Sequence, residues 1–530
     1  MVPAEDAGTG EAVHRHELLA ALSRGIDLCM GQPIGHIAGQ TYIALRLAER
    51  FGLDAEERRE VFHTSMLAWV GCHVDSYEQA RWFGDDHRVK ADIRVVDLGD
   101  EAAALAFMVR SIGAGQPWPQ RRRTLAAFRL DGQRETDEMF GNHRAAAAMV
   151  AEGLGILPEH RFGADQVFER WDGGGEPDGR RGSETTFSAR AAALGDIALA
   201  IAQTGGTDAA VAVLRARRGT ELDPDLVDAF CDDADEVLAD VGSADVWART
   251  LRLCPPLDDA LASARLDDAL VVLADYVDLK SPSGLGHQSA TAAIADAAAE
   301  GFGFDQAGRT RVRRAALLHD IGRLGVPTAV WDSRVALTPA QTEQVRLHPY
   351  LTEVILDPFP SLHALGRLAG QHHERLDGSG YPRRLSGSGI SPEGRLLAAA
   401  DSYSSRSVKR PHRPAVPVSE LPAVLRADVR EGRLDADAVE AVLAAAGHRR
   451  SRRRAWPAGL TEREVDVLRL AARGRSNAEM ARELHVSPKT IGNHLEHIYT
   501  KTGARNRAMV ALFAARHSLL DEAVTAHGTE

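Results

Sequence analysis

His287, His319, Asp320, His348, His372, His373 and Asp401 stand in one stretch of the chain. Imidazole and carboxylate together are the donor set for Fe, Mn, Zn and related divalent ions. An adjacent His-Asp on one helix lets the Asp bridge two ions while the His binds one of them. Two ions a few ångströms apart clamp a water, lower its pKa and hold the attacking and leaving oxygens for in-line attack on phosphorus. A lone His-Asp is most often a surface or capping pair. Seven candidates at ordered spacings, one of them a His-His pair, point instead to a metal centre.

The elements that must position these residues occur twice. HERLDGSGYP at 373–382 has a counterpart in FERWDGGGEP at 168–177, 205 residues earlier. His143 pairs with His348, Asp172 with Asp377 and Asp196 with Asp401 at that same offset. Upstream the offset is 251: LSRGIDLCMGQPIGH (22–36) lies under LADYVDLKSPSGLGH (273–287), and TSMLAWVG (64–71) under AALLHDIG (315–322). The first copy therefore carries about 46 extra residues, within 73–140. It has Ala68-Trp69 for His319-Asp320 and Val167-Phe168 for His372-His373, and keeps His36, His143 and Asp196. With four of seven positions apolar it reads as a decayed twin, a partner or sensor. Its glycine phrase survives because a turn needs positive-φ residues with or without chemistry.

Each copy reads as a helical bundle. HQSATAAIADAAAEGFGF starts a helix at His287 that stops near Gly301 or Gly303. RTRVRRAALLHDIGRLGVP is a second helix, broken by Gly322, Gly325 and Pro327. DGSGYPRRLSGSGISPEG is a turn-rich loop, after which GRLLAAADSYSS resumes a helical period. GAGQPWPQRRR in the first copy is expected to be a loop between two short elements.

LLHDIGRLGVP, LHPYLTEVIL, GQHHERLDGSGYP and LAAADSY resemble the HD-GYP branch of the HD-domain phosphohydrolases, over roughly 260–415. The resemblance implies an all-helical fold, a di-iron or di-manganese centre, and hydrolysis of cyclic di-GMP or another phosphoester. Carried over by position, His287, His319, Asp320, His348, His372, His373 and Asp401 would be the ligands. Asp320 would bridge, and Asp320 and Arg323 would be the catalytic pair. Arg323 stands where the family usually has Lys, keeping the charge and adding a fork that fits phosphate. Ser283 stands where some members supply an extra Glu ligand, and DSYSSRSVKRPHR keeps only Arg410-Pro411 of the family's continuation.

The C-terminal end carries a different chemistry. The chain as a whole has a net charge of −12, with 44% hydrophobic and 26% charged residues. From 449 to 516, however, 15 Lys/Arg face 6 Asp/Glu. Such asymmetry suggests a nucleic-acid module on an acidic body. Thr461 and Glu464 form a capping box, Gly474 ends that helix, Ser476 caps a second, and Ser487-Pro488 opens a third. The third helix buries Ile491, Leu495, Ile498 and Thr502 and leaves a polar outer face, as a helix-turn-helix reader does. LTEREVDVL, SPKTI and IYTKTG resemble the LuxR-type DNA-binding domain, with Gly492 where that family usually has Lys or Arg. Ser487, Lys489, Thr490, Asn493, His494 and Lys501 are the candidate DNA contacts.

The expected architecture is all-α: two tandem HD-type bundles followed by a LuxR-type helix-turn-helix domain. The expected boundaries are a tail (1–14), a degenerate copy (15–245), a metal phosphohydrolase (260–445), a basic linker (446–459), the DNA-binding domain (460–520) and a tail (521–530). Cys29, Cys72, Cys231 and Cys254 form no CxxC, and no leader or membrane-length apolar run is seen, so the chain reads as cytoplasmic. The function expected is a DNA-binding transcriptional regulator with a metal-dependent phosphodiesterase module. The alternative is an inactive nucleotide- or metal-sensing module that gates DNA binding. Partners would be double-stranded DNA, bound as a homodimer, and a cyclic dinucleotide or other phosphoester. Two divalent ions, Fe or Mn, would be the cofactors, and no membrane is implied.

Overall fold

The computed structural model describes residues 12–156, 163–242, 245–257, 259–448, 456–484, 486–504, 506–517 and 519. The tails at 1–11 and 521–530 and the arginines of 449–454 lie outside the described residues. The chain forms two compact units, 1–449 and 450–530. Among the described residues the regular elements are helices, with isolated backbone bridges between turns.

The first unit is built from the repeat. In the first copy α1 (Arg15–Cys29), α2 (His36–Arg50), α3 (Ala55–Leu67) and α8 (Phe187–Ala216) correspond to later helices of the second copy. Those are α12 (Ser263–Asp278), α13 (His287–Phe302), α14 (Gln306–Leu318) and α19 (Pro392–Ser407). The same local devices recur in both. Gly35 and Gly286, both left-handed, precede α2 and α13. The carboxylate of Asp27 accepts the backbone N–H of Ile37 at 3.0 Å, and that of Asp278 accepts Gln288 N–H at 3.0 Å. Gly173 and Gly378 turn at φ 77° and 79°. Glu169 accepts the N–H groups of Asp178 and Arg180, and Glu374 those of Arg383 and Leu385, at 2.8–2.9 Å. The shared phrase thus encodes a loop wrapped around a buried glutamate, independent of the histidines.

The extra residues of the first copy form α4 (Ser76–Phe83), α5 (Asp86–Ile93), α6 (Glu101–Ser111) and the front of α7 (Trp118–Gly153). The GAGQPWPQRRR stretch corrects the expectation of a short following element. Pro117 caps α7 and Pro119 sits in its first turn, where no N–H is needed, so the loop launches a 36-residue helix. α9 (Pro224–Asp232), α10 (Ala234–Val241) and α11 (Val246–Leu253) complete this half. α8 is long and apolar enough to cross a membrane by length and composition. It also carries buried Asp196 and packs on α2 and α3, so it is a core helix here.

The second copy continues through α15 (Thr328–Trp331), α16 (Pro339–Arg346), α17 (His348–Leu356) and α18 (Pro360–Ala369). After α19 come α20 (Leu421–Arg430) and α21 (Ala436–Ala445). The two copies share one apolar core. Their contacts are reciprocal. Leu28 and Gly25 of α1 meet Gly325 and Leu324 of the second copy, and the hydroxyl of Tyr276 in α12 donates to Val70 O of the first at 2.7 Å.

The second unit has its own core around Val465, Leu468, Met480, Ile491, Leu495, Ile498 and Val510. α22 (Glu462–Ala472) starts at the Thr461–Glu464 capping box, and α23 (Asn477–Glu483) at the Ser476–Glu479 box. α24 (Pro488–Thr502) is capped by Ser487, which accepts Thr490 N–H at 3.1 Å, and ends at left-handed Gly503. α25 (Arg507–Arg516) follows.

Candidate metal centre

α14 ends at Leu318, and His319 is its C-cap. Asp320 already has left the helix, at φ −104° and ψ 9°, and opens a tight turn over Ile321–Gly325. The His-Asp pair therefore sits at a helix end and not within one helix, which swings the carboxylate out of line with the imidazole. The turn needs Gly322, because a Cβ there would overlap the carbonyl of His348 and the amide of Thr352. His287 opens α13, His348 opens α17, His372 and His373 follow α18, and Asp401 lies in the middle of α19.

All seven predicted residues converge, and six of them are buried. Asp320 divides them. One of its oxygens is 3.3 Å from His348 Nε2 and 3.6 Å from His372 Nε2. The other is 3.7 Å from His319 Nε2 and 3.8 Å from His287 Nε2. Asp401 reaches His287 Nε2 at 3.3 Å with one oxygen and His373 Nδ1 at 3.7 Å with the other. Two donor sets result, His287–His319–Asp401 and His348–His372–His373, with Asp320 between them.

The surroundings aim the lone pairs inward. His319 Nδ1 lies 2.7 Å from Ala316 O, His348 Nδ1 2.6 Å from Val345 O and His372 Nδ1 2.7 Å from Ala369 O. With Nδ1 held by a backbone carbonyl, each ring turns its Nε2 toward the centre, the usual orientation of a metal-binding imidazole, and the Nε2 atoms of His348 and His372 are 3.0 Å apart. His319 Nε2 is buried and has no hydrogen-bond partner. Burial works against charge on Asp320, yet His319, Arg323 and His348 outweigh it and hold the carboxyl well below the ordinary range. Burial, reinforced by His319 and His348, lowers His372 to about 3, so it stays neutral. Ionised Asp320 and Asp401, a neutral His372 and the orphaned ring nitrogen of His319 fit divalent cations.

Arg323 is 1% exposed. Its Nη1 is 3.3 Å from both Asp320 and Asp278, and its Cζ stands 4.4 Å from the centre of the Trp331 ring. Sequence reasoning missed Trp331 and Asp278, which carry no motif of their own. It also missed Tyr381, whose ring is 4.8 Å from His373, and noted Arg410 only as a retained family residue; Arg410 is buried, with Asp320 and Asp401 among its charged neighbours. Tyr381 lies inside the quoted GYP phrase, the one signal that could have found it.

Among the described residues, the His36, His143 and Asp196 retained by the first copy form no such set. His143 is not grouped with His36 and Asp196, but packs against Phe168 at 4.9 Å between ring centres. His36 Nε2 and Asp196 are 2.9 Å apart. Arg94 has entered their site: its guanidinium is ion-paired with Asp196 and lies 3.2 Å from His36 Nε2 and 4.7 Å from the centre of the Trp69 ring.

In the second unit Lys489 and Asn493 are exposed on α24, and Thr490 and His494 are half-buried. The Thr490 hydroxyl is 2.8 Å from that of Ser487. Lys501 is turned to the domain's own fold, its ammonium donating to buried Glu464 at 2.7 Å.

Residues 271–438 match the family described as HD domain, and residues 458–514 that described as bacterial regulatory proteins, luxR family. The 3'3'-cGAMP-specific phosphodiesterase 3 of Vibrio cholerae is 30% identical over 417 residues, 77% of this chain and 90% of that protein. The chain belongs to the HD-domain phosphodiesterases. The aligned span exceeds either copy alone, so the similarity of this HD-domain phosphodiesterase to its relative takes in residues of both copies. A crystal structure of a cyclic GMP-AMP-specific phosphodiesterase of V. cholerae superposes with a TM-score of 0.58 at 26% identity. It covers 82% of this chain and 98% of that one. A cyclic di-GMP phosphodiesterase of Thermotoga maritima is 32% identical over 155 residues, 29% of this chain and 41% of that protein. The molecule is thus a DNA-binding regulator that joins a metal-dependent HD phosphohydrolase module to a LuxR-type domain.

Proposed function

We propose that the second copy hydrolyses a 3',5'-phosphodiester of a cyclic dinucleotide, with 3'3'-cGAMP the first candidate, in a cytoplasmic transcriptional regulator. The observation that carries the reading is the division of the histidines by Asp320 into two buried sets. His287, His319 and Asp401 would hold one ion and His348, His372 and His373 another, Asp320 serving both. Iron or manganese suits this mixed imidazole and carboxylate set. Bound ions would supply a water of lowered pKa and neutralise charge on the phosphoryl oxygens. Arg323 acts on Asp320: held by Asp278 and stacked on Trp331, it fixes the carboxylate's direction and offsets its charge. The ring of Tyr381 lies over His373. There it limits that imidazole's rotation.

In the second unit Lys489 meets phosphate, and Asn493 is placed for a base edge in the major groove. Ser487, Thr490 and His494 support that helix end, while Lys501 steadies α22 through Glu464. A single short recognition helix offers few base contacts, so the DNA-bound form is a homodimer.

Purified protein loaded with Mn²⁺ should convert 3'3'-cGAMP to a linear product, and Asp320→Ala should lose both turnover and most bound metal. Equal metal content in the wild type and Asp320→Ala would refute the assigned centre. Turnover of none of 3'3'-cGAMP, cyclic di-GMP and cyclic di-AMP would refute the substrate class.

A further inference from the structure

Why the first copy keeps His36 and Asp196 after losing four of its seven counterparts is answered by α5. This helix belongs to the extra segment; Arg94, its C-cap, lies in the first copy's remnant site, and its first residues contact Thr328 and Lys280 of the second copy. At its C-terminus Arg94 is 9% exposed and fills the space between Asp196, His36 and Trp69. At its N-terminus Asp86 is buried against the second copy. One carboxylate oxygen accepts Thr328 N–H at 2.8 Å, and the other faces the Thr328 hydroxyl at 3.2 Å. Next to it, His87 Nε2 is 3.0 Å from the ammonium of Lys280, which also donates to Leu324 O at 2.9 Å. Lys90, 3.5 Å from Asp86, donates to Ser76 at 2.6 Å and ties α5 back to α4.

Both anchored residues border the metal centre. Leu324 follows Arg323 in the turn that presents Asp320. Thr328 opens α15, whose last residue, Trp331, is the ring under Arg323. A shift of Thr328 therefore moves the platform that sets Arg323, and with it Asp320.

We propose that α5 is a strut by which the inactive copy positions the active one. His36 and Asp196 no longer serve a metal. They clamp the guanidinium of Arg94, and that clamp sets how Asp86 and His87 press on the loop carrying Asp320 and Arg323. Asp86, Lys280 and Arg94 are positioning residues for the second copy's reaction. The assignment rests on the metal centre described above as the reactive site.

A double-mutant cycle in the full chain tests this. Asp86 and Arg94 are eight residues apart, about 12 Å along a helix, and no hydrogen bond or ion pair links them. Independent sites at that distance add. With Mn²⁺ and 3'3'-cGAMP, Asp86→Asn and Arg94→Met should each lower kcat about tenfold, with KM and metal content near wild type. The double variant should be no worse than the poorer single one. Arg94→Lys, which keeps the cation, should recover part of the loss. A double variant about a hundredfold down would overturn the strut, because the two ends would then act separately. Amide exchange gives a reading that needs no turnover. Arg94→Met should speed exchange at Thr328 and across 321–326 while α13 and α19 stay protected. Unchanged exchange at Thr328 in Arg94→Met would overturn the proposal even in a protein without activity. Loss of turnover in the wild type with exchange as expected would count against the substrate and not the strut.

Discussion

Trp69→Ala removes the side chain that fills the space where the active copy has Asp320. Trp69 is 8% exposed. Its ring lies 5.6 Å from that of Phe168, its Nε1–H donates to Gln40 Oε1 at 2.7 Å, and Arg94 stacks on its face. Truncating a buried Trp costs about 3–5 kcal/mol for transfer and cavity. A buried Gln40 carbonyl left without its donor adds about 1 kcal/mol, and the lost cation–π contact adds ~0.5–1 kcal/mol. Allowing for overlap between these, about 4–6 kcal/mol is expected. Unfolding entropy of ~2.1 cal/mol/K per residue over a unit of roughly 440 residues is about 0.9 kcal/mol/K, so Tm should fall by about 4–7 °C. The assay is scanning calorimetry of the full chain beside metal analysis. Metal content should not change, since no residue of either donor set lies in this copy. A Tm within about 1 °C of wild type would refute the packing reading, and loss of metal would refute the asymmetry between the copies.

Gly322→Ala should empty the centre at least as well as a ligand substitution. Its Cβ would push the HD turn off α17, whereas Gly71→Ala, which would clash with His143 in the first copy, should cost stability and leave metal bound. In DNA binding followed across a salt series, Lys489→Ala should weaken all sequences alike and reduce the salt slope by about one. Asn493→Ala should instead narrow the gap between specific and non-specific sites by about 1–3 kcal/mol. Glu464 adds a pH dependence. Burial opposes its charge, but Lys501 and Thr461 outweigh that and set its carboxyl below the ordinary value. Its contribution is complete above an ordinary Glu pKa of ~4.3 and is lost as pH falls through the lower folded value. Glu464→Gln should therefore flatten the acid limb of the second unit's melting curve, and an unchanged limb would refute the pairing.

What could be read from residues alone follows a physical division. The seven candidate donors could be picked out because metal chemistry restricts residue type, and the duplication supplied a second copy against which each difference showed; the structure brings the seven side chains together. Caps at Thr461, Ser476 and Ser487 were legible because they are local. The geometry of the His-Asp pair was not: α14 stops one residue before His319, a helix end made by the Gly322 turn packing on α17 and invisible in the alanine-rich run before it. Arg323 reads from sequence as a fork for phosphate, whereas it is enclosed by Asp278, Asp320 and Trp331. Arg94 carries no signal at all. Its role arises when an insertion folds back on a site more than a hundred residues away in Asp196, and no periodicity encodes that contact. The GAGQPWPQRRR stretch misled because its prolines read as breakers, while prolines at a helix start are compatible with a long one.

The reciprocal seam, with α1 against Leu324 of one copy and Tyr276 against Val70 of the other, has a genetic consequence. In a homodimer of identical chains each substitution is made twice, so a change that spoils one metal site spoils both. Joining the two copies in one chain lifts that restraint, since a codon now addresses one site only. Trp69, Phe168 and Arg94 could then enter the first copy while the second kept every donor. Each later change in one half would be screened by how well the other half still folds against it. The paired state also ceases to depend on concentration, because each copy is delivered with its mate by a single round of translation.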